Sequence, residues 1–480
     1  MPVNFERNDY KVAQRRYTLI SDCLAGETVI KSRRQFYLPQ PNAADTSKEN
    51  AARYNAYLTR AVFYNVTGRT MRGLQGQVFT RQPLFEIPNI LDHVKQDATG
   101  LGVSAVQLAK ELVNYSIAYG RGGVFVDFPA TNEQGVSRSD LISGRVKPTI
   151  NAYDGRNIIN WRTAFIDGKE RLTLVVLKEE IETYKDMFTV LLDTQYRALI
   201  LDENGYRQEI YNKNQALAFQ VFPRQSNGEV WREIPFSFVG SVNNDPFIDY
   251  PPLYDLASLN IAHYRNSADY EESSFIVGQP TPVFAGLTEH WVNEVLKGRI
   301  ELGSRAAIAL PEGATAQLLQ AEANTMPFEA MGHKERQMVA LGAKLVENRA
   351  VQRTATEATQ ESASEQSTLS SSADNVSAAI TQAFKWCGVF IGENPAVIDT
   401  INFQLNTEFD LVRLSPEDRK AVVSEWQIGA LTFSEMRHVM RRGGIATLDN
   451  KAARQEIETD GMLAEAETEE EDNEGANNDE

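Results

Sequence analysis

Residues 354–387 run for thirty-four positions without a glycine or a proline, and most of them are Ser, Thr, Ala, Gln or Glu. Thr354 and Glu357 stand in capping-box spacing, and the apolar residues gather late, at Val376, Ile380, Phe384 and Cys387. The pattern predicts one long helix of roughly 50 Å at 1.5 Å per residue. Its first half, with Thr359, Gln360, Ser362, Ser364 and Ser367, offers no continuous apolar face to a core. Such a helix needs neighbours of its own kind or a wet cavity. The same composition also fits an unstructured Ser/Thr-rich linker.

The 480 residues allow two to four domains, and 42% hydrophobic residues suffice for real cores. There is no run of eighteen apolar residues and residues 1–10 are polar, which predicts a soluble intracellular protein without a membrane span. Cys23 and Cys387 are too few for a disulfide framework. Charge is uneven: residues 1–82 carry thirteen Lys/Arg and six Asp/Glu, a net +7, so the remainder holds −24 of the total −17. Residues 465–480 hold nine acids and no base and read as a solvated, disordered end. Arg15, Arg16, Lys31, Arg33 and Arg34 would grip an acidic partner or simply be solvated.

Helical spacing links Tyr57, Ala61, Tyr64, Gly68 and Met71, and a second helical stretch at 105–118 leads through Gly120-Arg121-Gly122-Gly123 into a strand at 124–128. From 148 to 240 an antiparallel sheet is expected, with strands at 172–177, 188–192 and 196–201 and an Asn204-Gly205 hairpin turn. After Pro251-Pro252 a helix at 253–277 carries Leu256, Leu259, His263 and Tyr270 on one side, and Asp255, Arg265, Asp269 and Glu272 on another. Its apolar side is narrow and interrupted by Asn260 and Ser267. Gly278, Pro280 and Pro282 open a compact insertion with a short helix near 288–296 and strands near 307–310 and 317–320. A second helix follows at 328–348. Past the long helix come a strand at 401–405, a helix begun by Ser415-Pro416 and closed by Gly429, and a helix at 433–442 stopped by Gly443-Gly444.

Catalytic motifs are missing. Gly168-Lys169 lacks both the glycines and the Ser/Thr of a phosphate-binding P-loop, and Gly120–Gly123 precedes a strand instead of opening a helix, which favours a tight turn over an anion site. His93, His263, His290, His333 and His438 are scattered and no Cys-x-x-Cys occurs, so neither a metal nor a cofactor is expected. His263 fits a packed helix position or a channel wall, and Trp386 beside Cys387 reads as core.

The order of elements resembles that of tailed-bacteriophage portal proteins, the head-to-tail connector family. The resemblance rests on Pro252-Leu253-Tyr254-Asp255-Leu256-Ala257, on Gly278-Gln279-Pro280-Thr281-Pro282, and on Met338-Val339-Ala340-Leu341-Gly342-Ala343-Lys344-Leu345. Arg353-Thr354-Ala355-Thr356-Glu357, Gly120–Gly123, Gly429-Ala430-Leu431-Thr432 and Arg442-Gly443-Gly444-Ile445 add to it. It implies an α+β portal fold in a dodecameric ring with a central channel: wing at 1–250, first stem helix at 251–277, clip at 278–326 and second stem helix at 327–348. A tunnel loop, long helix and returning wing strand would follow at 349–412, a helical crown at 413–462, and a disordered acidic tail at 463–480.

The implied role is a non-enzymatic ring at one capsid vertex of the virion, assembled in the cytoplasm of the bacterial host. Double-stranded DNA would be packaged and ejected through it without sequence recognition. Implied partners are eleven further copies, the major capsid protein, scaffolding protein, terminase large subunit and tail adaptor protein, with no membrane. Asp255, Arg265, Asp269, Glu272, Lys334 and Arg336 become channel-lining candidates, and Asn348, Arg349, Gln352 and Arg353 tunnel-loop candidates. Net acidity suits a conduit, because phosphates would not adhere to its wall. Other readings are a different oligomeric virion protein, adaptor or scaffold-like, and an unrecognised soluble enzyme.

Overall fold

Tyr10, Ala13, Tyr17 and Ile20 recur at helical spacing, and all four are buried on one face of α1 (Asn8–Ala25). Gly26, at φ 93°, turns the chain into α2 (Glu27–Ser32). The computed structural model describes residues 2–128, 140–141, 146–166, 168–278, 281–295, 310–319, 325–345, 367–407, 409, 416–442, 445–446, 450 and 453–459. It divides into two units, Met1–Thr407 and Glu408–Glu480.

The helical spacing from Tyr57 to Met71 belongs to two helices instead of one, α3 (Lys48–Arg60) and α4 (Val66–Val78). Ala61 leaves helical geometry at ψ 138°, and Asn65 caps α4 by accepting from the Gly68 amide at 2.7 Å. Between them the Val62 amide and carbonyl are both bonded to the Ser267 hydroxyl. A tertiary partner therefore takes over the hydrogen bonds that a continuous helix would have used.

After β1 (Leu84–Glu86) and α5 (Asp92–Gln96), the expected helix at 105–118 is α6 (Ala105–Tyr119), opened by a Ser104–Gln107 capping box. Gly120 ends it in the left-handed region at φ 62°, where an added Cβ would lie 2.8 Å from the Asp249 carbonyl oxygen. Gly123, in β2 (Arg121–Asp127), sits so close beneath Phe236 that a Cβ would fall 2.4 Å from its ring. The glycine cluster is thus a helix stop and a close-packing device.

The single sheet expected over 148–240 is two sheets. β3 (Thr149–Asp154) pairs with β2, whereas β4 (Ile158–Ile166), β5 (Lys169–Tyr184), β6 (Val190–Asp202), β7 (Gly205–Asn212) and β8 (Leu217–Val221) form an antiparallel five-stranded meander. β9 (Phe236–Gly240) returns to the other edge of β2. The strands expected at 188–192 and 196–201 are one strand, β6, with Phe188 in the preceding turn. Asn204-Gly205 makes the β6–β7 hairpin with Gly205 at φ 105°.

The chain continues through α7 (Tyr254–Val277), β10 (Thr281–Ala285), the expected short helix at 289–295, π-helical over Trp291–Val295, then β11 (Thr315–Leu319) and α8 (Met326–Lys344). Of the strand expected at 307–310, only Leu310 is among the described residues. The long Ser/Thr-rich helix starts later than expected, as α9 (Thr368–Ile391): Ser367 is extended at ψ 153° and its hydroxyl accepts from the Ser370 amide, so this cap interrupts any helix running through 354–387. Residues 354–366 lie outside the described residues. α10 (Pro395–Asp399) and β12 (Asn402–Gln404) follow, and β12 pairs with β1.

α9 packs over α6, β2 and β9, and its late apolar residues Val376, Ile380, Phe384 and Cys387 are all fully buried. Burial of side chains of this size stabilises by about 1.5–3 kcal/mol each. Trp386 is core as expected, its indole N–H donating to Glu233 at 2.8 Å. In the second unit, α11 (Pro416–Gln427) and α12 (Phe433–Arg442) meet through Trp426 and Phe433, with Gly429 at φ 80° between them. Ser415, Gly443, Gly444 and the acidic 465–480 lie outside the described residues.

Candidate functional site

α7 has no glycine or proline over its 24 residues, so nothing in it breaks the backbone ladder. It buries Leu256, Ala257, Ile261, Tyr264 and Ala268. The two residues that seem to interrupt its apolar side are its docking points. Asn260 is fully buried, accepts from the Thr67 amide at 3.1 Å and hydroxyl at 3.0 Å, and donates to the Tyr64 carbonyl at 2.9 Å. Ser267 holds Val62 in the same way. Each satisfies backbone groups that the α3–α4 break leaves open.

The expected channel-lining residues do not form one surface within the chain. Asp269 accepts from the Tyr57 hydroxyl at 2.6 Å, and Glu272 is ion-paired with Arg60, so both turn toward α3. Burial and these two carboxylates push the Tyr57 hydroxyl far above its ordinary range. Arg265 donates to the Tyr37 carbonyl at 2.8 Å, and Asp255 accepts from the Tyr250 hydroxyl at 2.7 Å. Lys334 of α8 reaches across to Asn266 at 2.8 Å. Arg336 is exposed and has no partner among the described residues. Asn348, Arg349, Gln352 and Arg353 lie outside the described residues.

α7 and α8 run antiparallel. His263 meets Glu335 at 3.2 Å, Asn266 meets Lys334, and the Tyr270 and Phe328 rings lie 5.7 Å apart. His263 is therefore a packed helix residue, with its other ring nitrogen buried and unpartnered. Toward the other end an open groove of about 500 Å³ separates the helices, with Asp255, Ser258 and Ala262 on one wall and Ala340, Leu341 and Lys344 on the other. Only Met338 of α8 is buried, and Met326, Phe328 and Val339 are 75%, 60% and 71% exposed. A helix so bare on one chain is not stabilised by that chain's own core.

Between the two helices β10 and β11 pair in register from Thr281–Leu319 to Ala285–Thr315, with no third strand among the described residues. Every residue of β11 is exposed, including Leu318 and Leu319. A two-stranded ribbon of this kind is marginal in water. Below the helices the chain leaves at Leu345 and re-enters at Ser367, and the Leu369 amide donates to the Leu345 carbonyl at 3.2 Å. The two ends of that excursion are thus tied together.

One anchor of this region was missed by sequence reasoning. The Arg121 guanidinium is buried, donates to the carbonyls of Asp245, Pro246 and Phe247, and lies 3.6 Å from the Phe238 ring centre and 4.6 Å from that of Trp161. Burial lowers its pKa to about 10. It fixes the loop leading to Pro251 and α7. An arginine between glycines at the start of an apolar strand was its one sequence signal.

No group of three or more potential metal ligands occurs among the described residues. Both thiols are buried, and burial pushes Cys23 up to about 12 and Cys387 higher still, which leaves them unreactive. No helix among the described residues is long and apolar enough to cross a membrane.

Residues 252–391, which span α7, the insertion, α8 and α9, match a family described as a domain of unknown function (DUF4055). No curated protein matches the chain. Solved structures with a likeness to it include the neck of an empty gene transfer agent (GTA) particle computed with C6 symmetry, at 13% identity, 79% of this chain, 90% of that chain and a TM-score of 0.41. A second is the virion of a native GTA particle, at 15% identity, 80% and 92% coverage and a TM-score of 0.40. A third is the neck of a native GTA particle computed with C12 symmetry, at 14% identity with the same coverage and TM-score.

Proposed function

We propose that this chain is the subunit of a phage-like portal ring, twelve copies closing around a channel at one capsid vertex, through which double-stranded DNA is packaged and ejected. The observation that carries the reading is α8. It is a 19-residue helix with a single buried residue, joined to α7 by an exposed two-stranded ribbon. A second copy is the partner that covers such surfaces, and a heterologous contact that closes by rotation makes a ring. In this reading α7 and α8 are the stem, the ribbon is the clip, the sheets and α9 belong to the wing, and α11 and α12 to the crown.

The net charge of −17 suits passage of a polyanion without adhesion. Asp255 is proposed to face the channel and set the potential of the wall, with Asp269 and Glu272 contributing from behind, held toward Tyr57 and Arg60 of α3. Arg265, Lys334 and Arg336 would make transient phosphate contacts, with Asn348, Arg349, Gln352 and Arg353 at the constriction. The ring would dock the terminase large subunit, then the tail adaptor, and sit among major capsid and scaffolding proteins in a particle assembled in the bacterial cytoplasm. It would carry out no chemistry of its own.

Native mass spectrometry and electron microscopy of the purified protein test the reading. Closed rings of about twelve subunits are expected. Monomers alone at micromolar concentration across several salts would overturn it.

A further inference from the structure

β5 and β6 outrun their sheet. The ladder with β4 stops at Leu177 and that with β7 stops at Gln195, but β5 and β6 stay paired from Glu180–Thr194 to Tyr184–Val190. Those last five pairs form an arm with no strand on either side, about 17 Å long. Its tip is a closed turn: the Lys185 amide donates to the Thr189 carbonyl at 3.1 Å, and the Asp186 carboxylate accepts from the Phe188 and Thr189 amides at 2.9 Å and 2.8 Å. A two-stranded ribbon is marginal in water, yet this one exposes Tyr184 (70%), Met187 (84%), Phe188 (85%) and Leu192 (71%). A continuous apolar patch of this kind marks a contact surface.

Directly opposed residues share a face, so Glu180, Glu182 and Tyr184 of β5 stand with Thr194, Leu192 and Val190 of β6. That face is acidic and apolar at once. Its complement lies on α1, where Lys11, Val12 and Arg15 share the solvent side and are all exposed, Val12 at 62%, with Phe5, 52% exposed, beneath the Lys11 ammonium. Spacing agrees as well as charge. Lys11 and Arg15 are four helical residues apart, about 6 Å. Glu180 and Glu182 are two strand residues apart, about 6.7 Å. Arg15 and Glu180 have no partner among the described residues. Both surfaces are open within one chain.

We infer that the β5–β6 arm of one copy docks on the α1 solvent face of the next, Glu180 and Glu182 against Lys11 and Arg15, and Tyr184 and Leu192 against Val12 and Phe5. The two surfaces differ and stand on different elements, so the contact is heterologous and propagates from copy to copy. Exposed ion pairs contribute little by themselves; the apolar side chains supply the affinity and the charges fix the register. The inference rests on the proposed ring only for the presence of a neighbouring copy, and it assigns a contact away from α7 and α8.

The full-length protein carrying Val12→Cys with Leu192→Cys, treated with a short bismaleimide, tests the contact. Cys23 and Cys387 are buried and do not compete. The double variant should run as a ladder of linked oligomers on a denaturing gel, and each single variant as a monomer. A bridge confined to monomers would place the arm on its own α1 and overturn the inference. E180K/E182K should raise the concentration for half-assembly about tenfold, K11E/R15E by a similar factor, and the combined charge swap should bring it back toward the parent value. No recovery in the combined swap would also overturn it. If E180K/E182K fails to fold, E180Q/E182Q carries the same expectation and the same refutation. Rings in native mass spectrometry with no linked ladder, and with assembly unchanged by either reversal, would give the arm to another protein; that sinks this inference and leaves the ring standing. Linked oligomers that never close would support the arm contact and overturn the ring. Unlinked monomers would overturn both.

Discussion

The Ser267 hydroxyl holds Val62 at both ends: it accepts from the Val62 amide at 2.8 Å and donates to the Val62 carbonyl at 2.8 Å. That pair converts the helical run of the first quarter into two helices and ties their junction to α7. Ser267→Ala should lower unfolding free energy by about 1–2 kcal/mol, and Asn260→Ala by about 3 kcal/mol, because Asn260 is fully buried with three bonds. Denaturant melts with unchanged slope check the ordering, and a milder Asn260 variant would contradict it.

Arg121 gathers three consecutive carbonyls that no neighbouring strand takes. Arg121→Lys keeps the charge and loses the planar fork and the ring stacking, so it should cost about 3 kcal/mol despite being nominally conservative. Thermal unfolding measures this. Proteolysis should then cut first in residues 241–250, the loop the guanidinium anchors.

Glu179 on β5 is mostly buried beside Arg197 of β6. Burial alone would raise its carboxyl, but Arg197, with hydrogen bonds from Tyr153 and Gln195, holds it below the ordinary carboxylate value. A depressed folded-state value means that the unfolded chain takes up this proton first. The stabilisation is therefore complete above the unfolded value, near pH 4.5, and is lost as pH falls through the folded one. Glu179→Gln should remove that acid-dependent part and cost about 3 kcal/mol near neutrality. Urea midpoints from pH 7 to pH 3 should fall less steeply for the variant than for the parent.

Asp255 is the acidic candidate best suited to a test of the channel, because it is exposed and, among the described residues, bonded only to the nearby Tyr250 hydroxyl, whereas Lys at position 272 would confront Arg60. Asp255→Lys changes a twelve-subunit ring by about +24 and should make it retain duplex DNA at low salt, with affinity falling steeply as salt rises. Filter binding on intact rings reads the effect. Rings that retain DNA no better than the parent would remove Asp255 from the channel wall.

Much of this organisation is written locally. Unbroken runs without glycine or proline predict α6, α7 and α12, Asn204-Gly205 predicts its hairpin, and the apolar residues gathered in 376–387 predict the buried half of α9. Each depends on backbone preference or on periodicity within a few residues, which the sequence by itself determines. Three features needed the tertiary structure. The α3–α4 break depends on Ser267, some two hundred residues away; the division of 148–240 into two sheets depends on β9 returning to β2; and Asp269 and Glu272 face α3 because Tyr57 and Arg60 lie there. Helical spacing can put carboxylates on one side of a helix, but the neighbours packed against each turn decide whether that side meets water, a partner or the chain itself.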